Sequence, residues 1–435
     1  MAGPIVDPGR GTVPGRGHGS NRGGCGGLVD LAKVVAAIWP PPVSWTLGPD
    51  RPAGQRLVAE LVVMPRAEDP RVLLPRRAVL AAAATRAATP THTPRLRVRA
   101  LALTSALRLG AAPHLGERLC LWAPYGADAG AMEDLLGDLV GAEITLSVRL
   151  GPARANRKPV VHALTAAGSV AAVAKLGVTD LTRSLVLTEA DALRRIGRTS
   201  LRSVSTPRLL HAGAWGTSEL VVQTPLVATR RQIVPEPARV EAMREVAAIG
   251  IARRALSTSQ FVAGLQQRIR AVGRLDHRER LLAALARVVA GHEAAGGLID
   301  LGSWHGDWTD WNVVHGDGVV MAWDWERFAT DVPLGFDALH YAAQEVLVGR
   351  PSGPTPDDAV ALIATAARLL APFGVDAAAA EASAHLYLLE VGTRYAADGQ
   401  AASGFPAGAI ERWMLPVVET TWRSDHSGAP TNEPG

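Results

Sequence analysis

The chain has 435 residues, of which 48% are hydrophobic, so it is long enough for two or more lobes with cores of their own. Its formal net charge is only +4, and no run of basic residues alternates with aromatic ones. The composition therefore gives no support to a nucleic-acid partner. All but three of the 45 basic residues are arginine, a bias typical of GC-rich genomes that says little about function.

Three features of the sequence indicate the compartment. Cys25 and Cys120 provide neither a disulfide framework nor metal-ligand spacing, which is typical of a reducing environment. Residues 1–28 are rich in Gly, Pro and Arg and lack an apolar segment, which predicts a disordered tail and not a signal peptide. No uncharged stretch approaches the ~20 residues of a membrane helix. We expect a cytoplasmic protein with no membrane partner.

The pattern of predicted elements changes along the chain. Residues 29–141 mix short β-type runs with Ala-rich stretches, which predicts an α/β extension of unknown role that we expect to pack against the lobe after it. Residues 142–226 predict a strand, a hairpin, a helix and a second strand pair. Residues 227–423 have helical periodicity, with helices expected over 238–254 and 405–420 among others. A polar tail, 424–435, is predicted to be disordered. The chain is thus α+β, with a β-rich lobe followed by a mainly helical lobe.

One polar stretch in the helical lobe carries the pattern of a phosphoryl-transfer site. It reads W-H-G-D-W-T-D-W-N-V-V from Trp304 to Val314, and Asp324 follows inside V-V-M-A-W-D-W-E. Phosphoryl transfer from a nucleotide needs one carboxylate for the acceptor hydroxyl and oxygen ligands for Mg²⁺. Asp307 fits the first role, and Asn312 and Asp324 fit the second.

A second H-G-D triplet, at 315–317, competes for the same role. The fifth residue after Asp317 is Ala322, which has no side chain able to bind a metal. The triplet also lies between two short β-type runs, and its Asp317-Gly318 pair is a hairpin turn signal. The second triplet is therefore predicted to be a turn that returns the chain to Asp324.

The stretch H-G-D-W-T-D-W-N, followed by W-D-W-E, resembles the H-G-D-x-x-x-x-N and I-D-W-E pattern of the aminoglycoside phosphotransferase and choline kinase-like family. The resemblance covers about residues 142–420 and implies a protein-kinase-like two-lobed fold that uses ATP and Mg²⁺. It implies Asp307 as the catalytic base and Asn312 and Asp324 as the metal ligands. It also implies structural support of the catalytic loop by His305 and Asp337.

The resemblance requires a lysine for the nucleotide phosphates and a carboxylate that holds it. Lys175 lies in the small apolar strand V-A-A-V-A-K-L, where an ammonium group needs a partner. Glu189, fourteen residues later on the following predicted helix, supplies that partner. Residues 221–226 fall where the family's hinge meets adenine, so Gln223 and Pro225 are predicted to contact the nucleotide.

Several residues have two interpretations at this point. The loop 150–159 is not a G-x-G-x-x-G loop; it offers Arg154 and Arg157, with Lys158, either for phosphate contacts or as an ordinary exposed loop. Asp310 and Glu326 either contact a cationic or hydroxylated acceptor or are solvated acids. The remaining histidines of interest, His162, His211 and His340, are predicted to be ordinary core or surface residues.

The tryptophans between 304 and 325 are predicted mainly to pack around the loop, although Trp308 and Trp311 could face an acceptor. The function expected is ATP-dependent phosphate transfer to a hydroxyl group of a small molecule. The alternative is a nucleotide-binding, non-catalytic module that acts as a regulatory or partner-binding platform. A protein kinase fits less well, because H-G-D and W-D-W-E replace H-R-D and D-F-G.

Overall fold

The computed structural model describes residues 24–87, 94–127, 131–151, 154–228, 232–350 and 352–420. They divide into two compact units. Unit 1 takes residues up to 153, with 157–197 and 207–227, and unit 2 takes 154–156, 198–206 and residues from 228 on. Residues 1–23 and 424–435 of the predicted tails lie outside the described ranges. A helix begins at Gly24, within the last five residues of the predicted N-terminal tail.

The strands of both units are numbered in chain order: β1 (Ser44–Leu47), β2 (Gln55–Arg66), β3 (Asp69–Pro75), β4 (Glu117–Pro124), β5 (Ile144–Arg149), β6 (Val160–Thr165), β7 (Val170–Gly177), β8 (Val204–Ser205), β9 (Leu209–Trp215), β10 (Ser218–Gln223), β11 (Ala252–Arg254), β12 (Ile299–Trp304), β13 (Val313–Gly316), β14 (Val319–Ala322) and β15 (Ala329–Pro333).

The helices are α1 (Gly24–Ile38), α2 (Ala78–Ala87), α3 (Pro94–Arg108), α4 (Ala112–Leu115), α5 (Ala131–Val140), α6 (Asp180–Ile196), α7 (Glu236–Ala247), α8 (Gln260–Arg270), α9 (Leu275–Ala294), α10 (Phe336–Gly349), α11 (Pro356–Leu370), α12 (Ala377–Ala397) and α13 (Leu415–Thr420). In the described ranges, no single helix has the length and apolarity to cross a membrane. The bent pair 356–373 and 377–397 passes that test only when its two halves are counted together.

Unit 1 is built on one antiparallel sheet with the strand order β1-β4-β2-β3-β5-β6-β7-β10-β9. The predicted extension supplies β1 to β4, and it joins the predicted lobe where β3 pairs with β5, through Val72 with Arg149 and Leu73 with Val148. The predicted boundary between 141 and 142 therefore does not separate two units. A β-strand has unsatisfied backbone groups along its edge, and the extension pairs that edge of β5.

Helices cover both faces of this sheet. One cluster of buried side chains includes Leu31 and Ile38 of α1, Leu73 of β3, Val148 of β5 and Leu176 of β7. On the other face α2 packs against the extension strands, and α6 packs against β7 and β10. The core is therefore continuous from the extension into the predicted β lobe.

Unit 2 is mainly helical. Its buried cluster brings together side chains of α8 to α13 with those of β12 and β15. Two small sheets lie in this unit: β11-β12-β15 and β13-β14-β8. The β-rich and helical units together confirm the predicted α+β fold class.

The second H-G-D triplet is a hairpin turn, as predicted. Strands β13 and β14 pair antiparallel from Val313 with Ala322 to Gly316 with Val319. The two loop residues, Asp317 and Gly318, have φ values of 51° and 85°. Two consecutive left-handed residues are what a two-residue hairpin of this twist requires. The turn places Trp323 beside Asn312, where the Trp323 N–H donates to the Asn312 carbonyl at 3.1 Å.

Candidate functional site

The predicted lysine and glutamate of unit 1 form a buried ion pair. Lys175 Nζ lies 2.5 Å from Glu189 Oε1, and the side chains are 3% and 0% exposed. Helix α6 begins at a capping box formed by Thr179 and Thr182, which fixes the start of its buried face. That face includes Leu185, Val186 and Glu189, so helical spacing directs the carboxylate toward β7. The pair is present as predicted, and its contact with phosphate stays a prediction.

The two predicted nucleotide contacts at residues 223 and 225 differ in exposure. Gln223 ends β10, two positions beyond Val221, which pairs with Lys175 across the sheet. Its side chain is 3% exposed, and Oε1 is buried without a hydrogen-bond partner among the described residues. Pro225 follows in an irregular segment and is half-buried. Gln223 thus offers an unsatisfied hydrogen-bond acceptor on β10, two residues beyond the partner of Lys175.

The two predicted arginine contacts have other partners. Arg157 donates to the carbonyl oxygens of Pro70 at 2.8 Å and Leu150 at 3.2 Å, and it lies 3.3 Å from Asp30. Its guanidinium therefore ties the extension to the β5–β6 loop, which favours a structural role over a phosphate contact. Arg154 is exposed, and its guanidinium lies 5.6 Å from the ring centroid of Phe405.

In unit 2, the Asp337 carboxylate holds the backbone of the first H-G-D triplet. Its carboxylate oxygens accept hydrogen bonds from the backbone N–H groups of His305, at 2.7 Å, and Gly306, at 3.0 Å. Burial raises the pKa of Asp337 to about 7, although both backbone bonds act to lower it. This contact is consistent with the predicted bracing role.

Gly306 is required by the geometry of the triplet. Its φ is +82°, a region that L side chains rarely adopt, and a Cβ built there would lie 2.3 Å from the Arg327 carbonyl oxygen. The Gly306 carbonyl in turn accepts a bond of 2.6 Å from Arg394 Nη1. The backbone at this residue is therefore held on both sides.

His305 fixes the loop through both ring nitrogens. Its Nδ1 lies 3.2 Å from the Asp307 N–H, and its Nε2 lies 2.9 Å from the Trp323 carbonyl oxygen. A neutral ring meets both needs only if Nδ1 accepts and Nε2 carries the proton. Burial lowers the pKa of His305 to about 4, so the ring is neutral near pH 7. This contact is consistent with the predicted structural support by His305.

The Asp307 carboxylate is oriented by one donor on each oxygen. Asn312 Nδ2 donates to Oδ2 at 2.8 Å, and His340 Nε2 lies 3.2 Å from Oδ1. The side chain keeps 38% of its surface exposed, which leaves room for a hydroxyl group to approach. Burial acts to raise the pKa of Asp307, but the His340 bond and the positive charge of Arg394 outweigh it, and the pKa is lowered.

The residues predicted to hold a metal fit that task. The Asn312 amide must turn its N–H groups toward Asp307, because a carboxylate only accepts. Its Oδ1 is thereby left as a ligand and makes no hydrogen bond to another described residue. Asp324 follows β14 in a left-handed conformation, φ 65°, one residue after the Trp323 that pairs with Asn312. One amide oxygen and one carboxylate are ligands of the hard-oxygen kind that Mg²⁺ prefers.

The predicted packing role of the tryptophans is confirmed for three of them. Trp304, Trp308 and Trp325 are at most 2% exposed, and the His305 ring lies between Trp308 and Trp325 at centroid distances of 5.8 and 4.5 Å. Trp308 is therefore too buried to face an acceptor, contrary to one interpretation of the sequence. Trp311, at 42% exposed, keeps that possibility.

The two predicted acids of the acceptor side differ in environment. Glu326 is only 6% exposed, so the interpretation as a solvated acid is wrong. Asp310 is half-buried and accepts a hydrogen bond of 3.0 Å from the Tyr341 hydroxyl group. The Tyr341 ring is itself covered by the Arg239 guanidinium, 4.0 Å from the ring centroid. Either acid remains a candidate for acceptor contact.

Sequence reasoning missed His340, which was expected to be an ordinary core or surface histidine. The residue is fully buried and contacts Asp307 through Nε2 and the Tyr387 hydroxyl group through Nδ1, at 3.0 Å. The available signal was its spacing: His340 is three residues after Asp337 on α10, so both lie on one helical face. Tyr387 and Arg394, on α12, gave no local signal.

Comparisons with known proteins found similar structures among the solved ones. No protein-family model and no curated protein matches the sequence. Among solved structures, a thermostable mutant of aminoglycoside phosphotransferase APH(4)-Ia with ADP and hygromycin B is 14% identical, with 69% of this chain and 100% of that chain covered and a TM-score of 0.40.

Two further solved structures are similar at the same level. The amicoumacin kinase hAmiN in complex with AMP-PNP, Ca²⁺ and Ami is 13% identical, with 65% of this chain and 89% of that chain covered and a TM-score of 0.39. A glucosamine kinase is 17% identical, with 67% and 85% covered and a TM-score of 0.33. Likenesses of this size assign neither substrate nor activity to this chain.

Proposed function

We propose that this protein is an ATP-dependent phosphotransferase that moves the γ-phosphate to a hydroxyl group of a small molecule. One observation carries the proposal: Asp307 is a partly exposed carboxylate, held by a donor on each oxygen, in the same loop as an amide oxygen that is left for a metal. Phosphoryl transfer depends more on positioning the reactants than on covalent chemistry by the protein, so few other protein groups are needed. We propose the cytoplasm, which contains ATP and Mg²⁺, as its compartment.

Asp307 would act on the acceptor hydroxyl. It accepts the hydrogen bond of that hydroxyl and points the oxygen at the γ-phosphorus. A carboxylate of lowered pKa is a weak base, so it takes the proton only as the new O–P bond forms and the bond to the β-phosphate breaks. Mg²⁺, when bound to Asn312 and Asp324, would neutralise charge on the phosphate oxygens.

In unit 1, Lys175 would contact the nucleotide phosphates while Glu189 holds its ammonium group in place. The buried Oε1 of Gln223 would accept a hydrogen bond from the nucleotide, for example from the amine of an adenine base. Burying that acceptor without a donor costs free energy, and a bound base removes the cost.

The alternative is a nucleotide-binding module without catalysis. No observation favours it over the enzyme, because the residues with candidate catalytic roles are present and Asp307 stays accessible. The two functions differ in turnover, since only the enzyme consumes ATP in proportion to phosphorylated acceptor.

The test uses the two H-G-D triplets as a matched pair. We expect Asp307→Asn to reduce phosphate transfer by about 100-fold or more, since general-base loss typically costs 10²–10⁴-fold, while Mg-ATP still binds. We expect Asp317→Asn to leave transfer within about twofold, because Asn accepts the left-handed turn conformation. Transfer of labelled γ-phosphate to a panel of amino sugars, aminoglycosides and amino alcohols measures both.

Three outcomes contradict the proposal. Equal transfer by the wild type and Asp307→Asn would rule out the assigned base. An equal loss of phosphate transfer in Asp307→Asn and Asp317→Asn would mean that the loop of the first H-G-D triplet has only a structural role. A melting shift with Mg-ATP but no transfer to any acceptor would favour the binding module.

A further inference from the structure

A buried chain of hydrogen bonds leads away from Asp307 into the core of unit 2. The His340 ring lies between the carboxylate, 3.2 Å from Nε2, and the Tyr387 hydroxyl group, 3.0 Å from Nδ1. Both His340 and Tyr387 are fully buried, so neither can contact an acceptor or a nucleotide. The chain ends in apolar packing, where the Tyr387 ring lies edge-on to Phe336 at 5.8 Å.

The hydrogen positions along this chain are determined by chemistry. A carboxylate only accepts, so the His340 nitrogen facing Asp307 must carry a proton. Burial lowers the pKa of His340 although the Asp307 bond raises it, so the ring is neutral and Nδ1 must accept. Burial raises the pKa of the Tyr387 phenol well above its usual range, so its hydroxyl group keeps the proton and donates to Nδ1. Tyr387 therefore selects the ring tautomer that Asp307 needs.

We propose that His340 is a positioning residue for Asp307, held by Tyr387 in the tautomer that donates Nε2–H to Oδ1. The proposal rests on the proposed phosphotransferase function. Without this donor, Asn312 alone among the described residues would orient the carboxylate, and Asn312 is also a candidate metal ligand. The two donors separate these tasks: His340 fixes the carboxylate whether or not a metal is bound.

The catalytic test compares three substitutions with a matched control. His340→Leu removes the donor, and we expect kcat to fall by about 10–100-fold with the KM for Mg-ATP changed by less than about threefold, as for partners that orient a functional group. His340→Gln keeps an N–H donor and should recover part of that loss. Tyr387→Phe should lower kcat by less than His340→Leu, because Nε2–H remains but its tautomer is no longer selected.

His385→Gln is the control. His385 is also fully buried and lies on the same helix as Tyr387, but its Nδ1 bonds the Glu381 carbonyl of its own helix at 2.9 Å. We expect its kcat to stay within about twofold of the wild type. Acceptors found with the panel above serve for all variants, and thermal melting checks that each is folded.

A second measurement does not depend on activity. In the ¹⁵N-histidine-labelled full chain, His340 should show a neutral ring with a protonated Nε2 near pH 7, assigned by its loss in His340→Gln. Tyr387→Phe should change that signal, and His385→Gln should not. A ring protonated on Nδ1, or on both nitrogens, would overturn the assigned hydrogen bonds.

The outcomes separate the two proposals. A wild type that transfers no phosphate overturns the proposed function, while the NMR signal still tests the hydrogen-bond chain. An active wild type with unchanged kcat in folded His340→Leu and His340→Gln overturns the role of His340 alone. The role of His340 would also be overturned if His340→Gln and His385→Gln lost kcat equally, and only in step with a fall in melting temperature.

Discussion

Asp307 combines two properties that oppose one another in a base. Its lowered pKa keeps the carboxylate ionised at neutral pH, so it is always ready to accept a hydrogen bond. The same lowered pKa weakens its pull on a proton. In a loose phosphoryl-transfer transition state the attacking hydroxyl needs little prior deprotonation, so orientation matters more than basicity. The two donors on Asp307 supply that orientation.

Also at the residue scale, Lys175 and Glu189 form an ion pair whose loss should lower the free energy of unfolding. We expect Lys175→Met to lower the free energy of unfolding by about 3–5 kcal/mol, because it leaves the fully buried Glu189 without its cation. The double variant Lys175→Met with Glu189→Met should recover much of that loss, since apolar side chains of similar size replace the pair. Urea unfolding measures all of them.

Lys33→Met is the matched control for this prediction. Lys33 is an exposed lysine of the same unit, so its replacement should change the unfolding free energy by less than about 0.5 kcal/mol. A double variant no more stable than Lys175→Met would show that the glutamate is satisfied by other groups. Both Lys175 variants should also lose Mg-ATP affinity, whereas Lys33→Met should not.

At the scale of elements, the two H-G-D triplets show how one tripeptide serves two structures. The first lies in the loop after β12 with Gly306 pressed against the Arg327 carbonyl, and the second closes the β13–β14 hairpin with Gly318 in open space. Their glycines share nearly the same φ, 82° and 85°. Only the surroundings distinguish them.

This contrast predicts different costs for the same substitution. Gly318→Ala should lower the unfolding free energy by about 1–2 kcal/mol, the strain of a left-handed L residue. Gly306→Ala should lower the unfolding free energy by about 1–3 kcal/mol more than Gly318→Ala, because the added methyl group collides with Arg327. It should also reduce phosphate transfer by displacing Asp307. Urea midpoints and transfer rates of the two variants check this. Equal midpoints would mean that the loop yields to the added methyl group.

Two predicted helices were wrong in ways that the structure explains. Over 238–254, α7 ends at Ala247 and the chain turns at Gly250, with φ 71°, so that β11 can pair with β12. Over 405–420, α13 keeps only residues 415–420, and single 3₁₀ turns at 406–408 and 410–412 precede it. Proline and glycine within a helical pattern break it where tertiary pairing offers the backbone other partners.

At the scale of the whole molecule, the extension is part of unit 1. Its strands complete one sheet with the predicted lobe, and the buried cluster runs through both. The described part of the extension therefore packs against the lobe that carries Lys175 and stabilises it, as predicted.

This continuity predicts that a substitution in the extension weakens the whole unit. Leu73 is fully buried where β3 pairs with β5, so Leu73→Ala should cost about 2–5 kcal/mol. Leu57 of β2 is 44% exposed, and Leu57→Ala should cost less than about 0.5 kcal/mol. Native-state hydrogen exchange should show β1–β4 weakened together with β5, β6, β7, β9 and β10 in Leu73→Ala. Weakening confined to β1–β4 would show two independent halves.

The local sequence determined the hairpin, the buried lysine and glutamate, and the first H-G-D loop. Each of these depends on interactions at most fourteen residues apart: a left-handed Asp-Gly turn, the contact of Lys175 with Glu189, and the five-residue step from Asp307 to Asn312. Such patterns are visible in the sequence because backbone geometry fixes which nearby side chains meet.

Only the tertiary structure decided that His340, Tyr387 and Arg394 support that loop beside the predicted His305 and Asp337. Tyr387 and Arg394 lie 80 and 87 residues beyond Asp307 in the chain, and no local period connects them to it. The same is true of the extension, whose strands join β5 through pairing of distant segments. Contacts between distant segments depend on how helices and strands pack, because burial selects partners by shape and polarity and not by separation along the chain.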